Sequence, residues 1–105
     1  FNCDALKELR ALAPSANIMA RRQDYASLQE AFDDLAPMIV EFTMDEIAKA
    51  EEAAEFAAVR ATGAKVMLAA MNEGRETLRR IIAAKPDLAN VDHPFSLARQ
   101  VQAHD

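Results

Sequence analysis

The sequence is poor in residues that form turns and cross-links. It contains two glycines, four prolines and one cysteine in 105 residues, and no tryptophan. Few turn residues argue against an all-β fold, which needs many tight turns. The single cysteine, Cys3, cannot form an internal disulfide, and this favours a reducing compartment. The length predicts one domain spanning residues 1–105.

The chain also lacks an excess of positive charge and a long apolar run. Its formal net charge is -5 and its isoelectric point is about 5.0. An acidic chain is a poor binder of nucleic-acid phosphates or anionic membranes. No apolar run approaches the roughly 20 residues that span a bilayer. We therefore predict a cytoplasmic protein with no nucleic-acid or membrane partner. The start at Phe1 leaves a secreted effector or a processed fragment as the alternative.

Helix-forming residues dominate what is present. Hydrophobic residues make up 51% of the chain, and alanine, leucine, glutamate and arginine fill long stretches of it. Apolar residues at helical spacing predict an all-α fold of about five to six mostly short helices. The predicted helices lie near residues 2–13, 24–35, 43–60, 64–72, 75–84 and 95–101.

The centre of the chain is predicted to hold the longest helix. Thr43 and Glu46 have the spacing of a capping box, and the alanine-rich stretch after them extends to about Arg60. The preceding run "PMIVEF" (37–42) is continuously apolar and has the composition of a short buried strand. We interpret it as a buried helical turn because the sequence shows no partner strand.

Residues 64–84 are predicted to form a helical hairpin around Gly74 in the left-handed conformation. The segments "VMLAAMN", "EGRE", "TLRRIIAAK" and "PDLANVD" follow one another here. Together they resemble an ankyrin repeat, which has two short antiparallel helices followed by a loop. The resemblance covers about Gly63–Gln100 and implies a degenerate ankyrin-like solenoid. A small bundle of helical hairpins is the competing architecture.

The sequence offers no pattern typical of catalysis or cofactor binding. His93 and His104 would lie about 16 Å apart along a helix, too far to share one metal ion. Cys3 has no histidine at a spacing that suggests a pair, and two glycines do not make a phosphate-binding loop. We therefore predict a protein that is not an enzyme, with no catalytic residue, cofactor or metal.

The predicted function is protein–protein interaction, as an adaptor, inhibitor or effector-type domain. Methionine and phenylalanine side chains adapt well to partner surfaces, and acidic residues beside them favour a basic partner. The predicted partner-binding residues are Met38, Phe42, Met44, Glu51, Glu52, Glu55, Met67 and Met71. The alternative is a self-assembling helical bundle with a structural role or a small apolar ligand, which leaves a homo-oligomer open.

Overall fold

A four-stranded parallel sheet forms the centre of the molecule. The computed structural model describes residues 3–70 and 74–90. The strands lie side by side in chain order, each parallel to its neighbour. They are β1 (Met19–Arg21), β2 (Ile39–Thr43), β3 (Lys65–Ala69) and β4 (Leu88–Asn90). The chain is therefore mixed α/β, and the prediction of an all-α fold is wrong.

Helices precede β1 and connect each strand to the next. They are α1 (Cys3–Leu12), α2 (Leu28–Leu35), α3 (Ile47–Glu52), α4 (Glu55–Ala61) and α5 (Arg75–Ala84). Short 3-10 turns at Arg22–Asp24 and Met44–Glu46 follow β1 and β2. Parallel neighbours need such crossovers, because a tight turn cannot return the chain to the start of the next strand.

The run "PMIVEF" contains β2 and is not a helical turn. Val40 and Phe42 are fully buried, whereas the residues that alternate with them are half-buried. The strand is stable here because β1 and β3 bond to its two sides. The sequence conceals these partners, since both are short and neither is rich in β-branched residues.

The predicted helical hairpin over residues 64–84 is half wrong. α5 confirms its second helix, but residues 65–69 form β3, in which Val66 and Leu68 are buried in alternation. Gly74 has φ -60° and precedes α5, so it is not in the left-handed conformation. The helical-bundle prediction therefore fails, and residues 65–69 form a strand where the ankyrin-like resemblance implies a helix.

The sequence signals at helix ends agree with the structure better than the predicted fold class does. Thr43 and Glu46 form the predicted capping box, in which the Thr43 amide donates to Glu46 Oε1 at 2.9 Å. The break at Thr62–Gly63 is present, with Gly63 at φ 88°. The long helix predicted over 43–60 is divided, because Ala54 adopts φ 54° between α3 and α4. The helix predicted over 95–101 lies outside the described residues.

All five helices cover the same face of the sheet. The larger hydrophobic cluster joins Val40, Phe42, Val66 and Leu68 to side chains of α3, α4 and α5, with α2 packed against it. A smaller cluster joins Ile18 and Ala20 at β1 to Ala31 and Leu35 of α2, with Leu6 of α1 against it. In the described part of the chain, the helices therefore cover one face of the sheet.

The end of α2 allows a test of backbone strain. Ala36 caps this helix at φ 43°, a left-handed conformation that costs a residue with a Cβ about 1–2 kcal/mol. Ala36→Gly should therefore raise the free energy of unfolding by about 0.5–1 kcal/mol. Ala57→Gly, at an exposed position within α4, should lower it by about 1 kcal/mol. Urea denaturation measures the change in the free energy of unfolding for each variant. Equal losses of stability in the two variants would contradict the left-handed conformation of Ala36.

Candidate functional site

The face of the sheet opposite the helices is the most unusual surface of the described structure, and we call it the open face. None of its residues belongs to either hydrophobic cluster. Strand alternation and register place ten residues on it: Met19, Arg21, Ile39, Glu41, Thr43, Lys65, Met67, Ala69, Leu88 and Asn90. The side chains on the two central strands are half-buried, except Lys65, which is exposed.

The open face mixes apolar and charged side chains in ordered rows. The strand register puts Arg21, Glu41, Met67 and Leu88 in one row across all four strands. Wholly parallel sheets in known folds are almost always covered on both faces. The face that residues 3–70 and 74–90 leave uncovered is therefore suited to further packing.

The carboxyl edge of β1 carries a well-formed ion pair. Arg21 donates from Nε and Nη2 to the two carboxylate oxygens of Asp24, both at 3.0 Å. This two-bond geometry holds the guanidinium at the end of the strand, and the bond to Asp24 raises the pKa of Arg21. The charge of Arg21 is thus fixed in position beside Glu41.

A cleft of about 820 Å³ opens at the same edge, between the segments that follow β1 and β2. Arg22 lies in it and donates from Nε to Glu55 Oε1 at 2.9 Å and from Nη2 to Glu55 Oε2 at 3.3 Å. This ion pair ties the turn after β1 to the start of α4. Other charged residues in the lining are Asp45, Glu46, Lys49 and Glu52, so the cleft is polar and mostly acidic.

Tyr25 lies between the cleft and the smaller hydrophobic cluster. Its ring packs against that cluster, and its hydroxyl oxygen is buried. Burial raises the pKa of the hydroxyl to about 12, and the neighbouring Cys3 contributes in the same direction. Cys3 Sγ itself lies 4.0 Å from Asp24 Oδ2, so α1 meets the carboxyl edge of β1 here.

The raised pKa of Tyr25 predicts a loss of stability at high pH. The unfolded chain releases this proton near pH 10.0 and the folded chain near pH 12. The stabilising contribution is therefore complete below pH 10 and is lost as pH rises towards 12. Tyr25→Phe should remove this part of the pH dependence and leave stability at pH 7 nearly unchanged. Tyr25 is the sole tyrosine, so tyrosinate absorbance reports it directly, and a midpoint near 10 would contradict burial.

The structure does not gather the predicted partner-binding residues on one surface. Phe42 is fully buried between the sheet and the helices, and Met44 is half-buried against the same cluster. Met38 is 48% exposed just before β2. Glu51 and Glu52 are exposed on α3, on the helical side of the molecule.

The other predicted residues are also dispersed. Glu55 is bonded to Arg22 at the cleft, and Met67 lies at the centre of the open face. Met71, His93 and His104 lie outside the described residues. The sequence prediction missed the charged members of the open face, such as Arg21 and Glu41. Their alternation with buried Ala20 and Val40 is the signal that could have revealed them.

Comparison of this chain with models of protein families, with curated proteins and with solved structures gave no match. Among residues 3–70 and 74–90, no group of three or more His, Cys, Asp or Glu side chains is placed to hold a metal ion. Within the same ranges, no helix has the length and apolarity needed to cross a membrane.

Proposed function

We propose that this chain is a non-enzymatic protein-interaction module whose binding surface is the open face of its sheet. The observation that supports the proposal is that, within residues 3–70 and 74–90, the sheet is parallel and its helices lie on one side. A partner that covers the second face would complete the usual environment of such a sheet. The surface differs from the one predicted from the sequence, and of those residues it retains Met67.

The side chains of the open face suit this role. Met67 is half-buried at its centre, and Leu88 is 36% exposed at one edge strand. Complete burial of a leucine or methionine side chain contributes about 1.5–3 kcal/mol. Arg21 and Glu41, in the same row as these apolar side chains, should fix the orientation of a bound partner. The partner has to place matching groups beside both charges as it excludes water.

The acidic cleft supports a preference for a partner with basic groups at its rim. Asp45 and Glu52 line the cleft beside the open carboxyl edge of the sheet, and both are exposed. Exposed rim charges act mainly on the rate and specificity of association and add little to affinity. Asp45→Lys combined with Glu52→Lys should therefore slow association more than it speeds dissociation.

Site-specific photo-crosslinking tests the proposed surface. A benzophenone side chain at position 67, on the open face, should form protein adducts in an extract of the source cells. The same group at position 57, exposed on α4, should form few. Excess unmodified chain should suppress the adducts that position 67 forms with other proteins. Equal yields from the two positions, or none from either, would contradict a binding role for the open face.

A second candidate function is the binding of a small polar ligand in the cleft. Ligands of open parallel sheets bind at the carboxyl ends of the strands, and the cleft lies between the segments that follow β1 and β2. Chemical-shift perturbation with a library of small amines and phosphates tests this candidate. A true ligand should shift amides of residues 22–26 and 45–55, and Lys49→Ala should change its affinity while Lys7→Ala should not. Shifts spread over the whole surface would contradict it.

A further inference from the structure

Within residues 3–70 and 74–90, the sheet has two edge strands, β1 and β4. β1 and β4 each pair with one neighbour among the described strands, and all the strands run in the same direction. Both edge strands are three residues long. A strand that paired with β1 or β4 in the parallel direction would extend the sheet by a further βα unit.

Exposed apolar side chains are concentrated at these two ends. In the described part of the chain, the large exposed hydrophobic residues are Leu9, Leu12, Met38 and Leu88. Leu88 is on edge strand β4. Leu9 and Leu12 are on α1, the helix that packs against the cluster containing Ala20 of β1. Three of the four thus belong to elements at one end or the other of the strand order.

The open face is electrically balanced although the chain as a whole carries a charge of -5. Its cations are Arg21 and Lys65, and its anion is Glu41. Asp24, bonded to Arg21 at the carboxyl edge, supplies the second negative charge. Two such faces can approach each other without net repulsion.

We propose that the partner of the open face is a second copy of this chain. A two-fold axis along the strands would place β1 of each copy beside β4 of the other and keep every strand parallel. The result is a closed barrel of eight strands in sequential order, the number at which side chains alone fill the interior. The helices of both copies form its outer layer, and the interface is of the self-complementary kind usual in homodimers. This inference rests on the proposed interaction function.

The closed barrel accounts for the apolar side chains on the open face and for the two edge strands. Met67 and Leu88 enter the interior and pack against their counterparts from the second copy. Both edge strands gain hydrogen-bonded neighbours, which removes the exposed edges that otherwise favour aggregation. A barrel also brings the two carboxyl edges, each with its Arg21–Asp24 pair, to one end of the assembly.

Sedimentation velocity of the full chain, from low micromolar to submillimolar concentration, tests the proposal. The chain should sediment at twice its 11.5 kDa mass at the upper concentrations. Leu88→Glu places a charge at the β4 edge and should weaken the dimer about a hundredfold. Met38→Glu adds the same charge at an exposed position outside the strands and should change the dissociation constant of the dimer less than threefold. Circular dichroism of each variant shows whether the monomer remains folded, which the partial exposure of Leu88 predicts.

The other outcomes overturn the proposal in distinguishable ways. A chain that stays at 11.5 kDa throughout, yet crosslinks another protein from position 67, rejects the second copy and leaves the interaction function in place. A monomer with no crosslinks from position 67 rejects both. A dimer that tolerates Leu88→Glu but is broken by Met38→Glu rejects the barrel and the open face as its interface.

Discussion

Replacing Phe42 with alanine is expected to lower the free energy of unfolding by about 3–5 kcal/mol. Phe42 is fully buried in β2, and its ring meets that of Phe56 of α4 edge to face with centroids 4.9 Å apart. The substitution leaves a cavity where the sheet meets α4. A domain of this size is stable by about 5–15 kcal/mol, so the variant should be partly or wholly unfolded at 37 °C. Urea denaturation of the variant and the parent gives the difference.

A double-mutant cycle shows whether the two rings interact directly. Phe42→Leu and Phe56→Leu keep most of the apolar volume and should each cost less than the alanine change. Their coupling should be about 0.5–1.5 kcal/mol, the value of an edge-to-face pair beyond its burial. If Phe42→Ala left stability unchanged and only weakened partner binding, Phe42 would be a surface residue and the sheet packing described here would be wrong.

Replacing Leu35 with alanine is expected to cost about 2–5 kcal/mol. Leu35 is fully buried at the end of α2, in the smaller cluster that joins α2 to β1. Its carbonyl also accepts a hydrogen bond from Arg10 Nε at 2.7 Å, which ties α1 to the end of α2. Loss of this side chain should therefore loosen β1, in which Ala20 alone is buried.

Leu12 provides the matched control for Leu35. It is 85% exposed at the end of α1, so Leu12→Ala should change the stability of the monomer by less than about 0.5 kcal/mol. Thermal unfolding at low protein concentration compares the two variants without a contribution from self-association. Similar losses for both would show that α1 and α2 do not pack as described.

Local sequence signals predicted the helix ends better than the fold. The helical spacing in α1 and α5 and the Thr43–Glu46 capping box are properties of neighbouring residues, and the structure confirms both helices and the box. Strand pairing in this parallel sheet instead joins residues 20 or more positions apart, such as Val40 and Val66. Alanine, methionine and leucine in β3 favour a helix in isolation, and tertiary packing overrides this preference.

A longer-range pattern in the sequence does indicate the alternating order of helices and strands. Pro14, Pro37, Gly63 and Pro86 recur about 25 residues apart, and each stands a few residues before a strand. Each follows the end of a helical stretch and precedes the strand that comes next in the chain. The segments "LKELRALAPSAN" (6–17) and "LRRIIAAKPDLAN" (78–90) are similar in sequence, and each contains the end of a helix and a proline. β1 follows the first segment and β4 lies at the end of the second. Turn residues at this spacing favour alternating strands and helices over a chain of helical hairpins.

The candidate site could be predicted only in part. Met67 was included because methionine suits a binding surface, and it does lie on the open face. Phe42 was included for the same chemical reason, but its position in β2 turns it towards the helices. Which of two neighbouring apolar residues is buried depends on strand register, since a shift of one residue exchanges the two faces. Without the strand assignment, side-chain chemistry alone could not separate them.

Backbone chemical shifts and interstrand contacts measured by nuclear magnetic resonance test the central claim, the parallel sheet, most directly. Residues 39–43 and 65–69 should show the Cα and Cβ shifts of extended chain, and amide contacts should connect Glu41 with Met67 and Phe42 with Leu68. Residues 75–84 should show helical shifts. Helical shifts through 64–72, with no contact between the two segments, would contradict the sheet and every inference drawn from its open face.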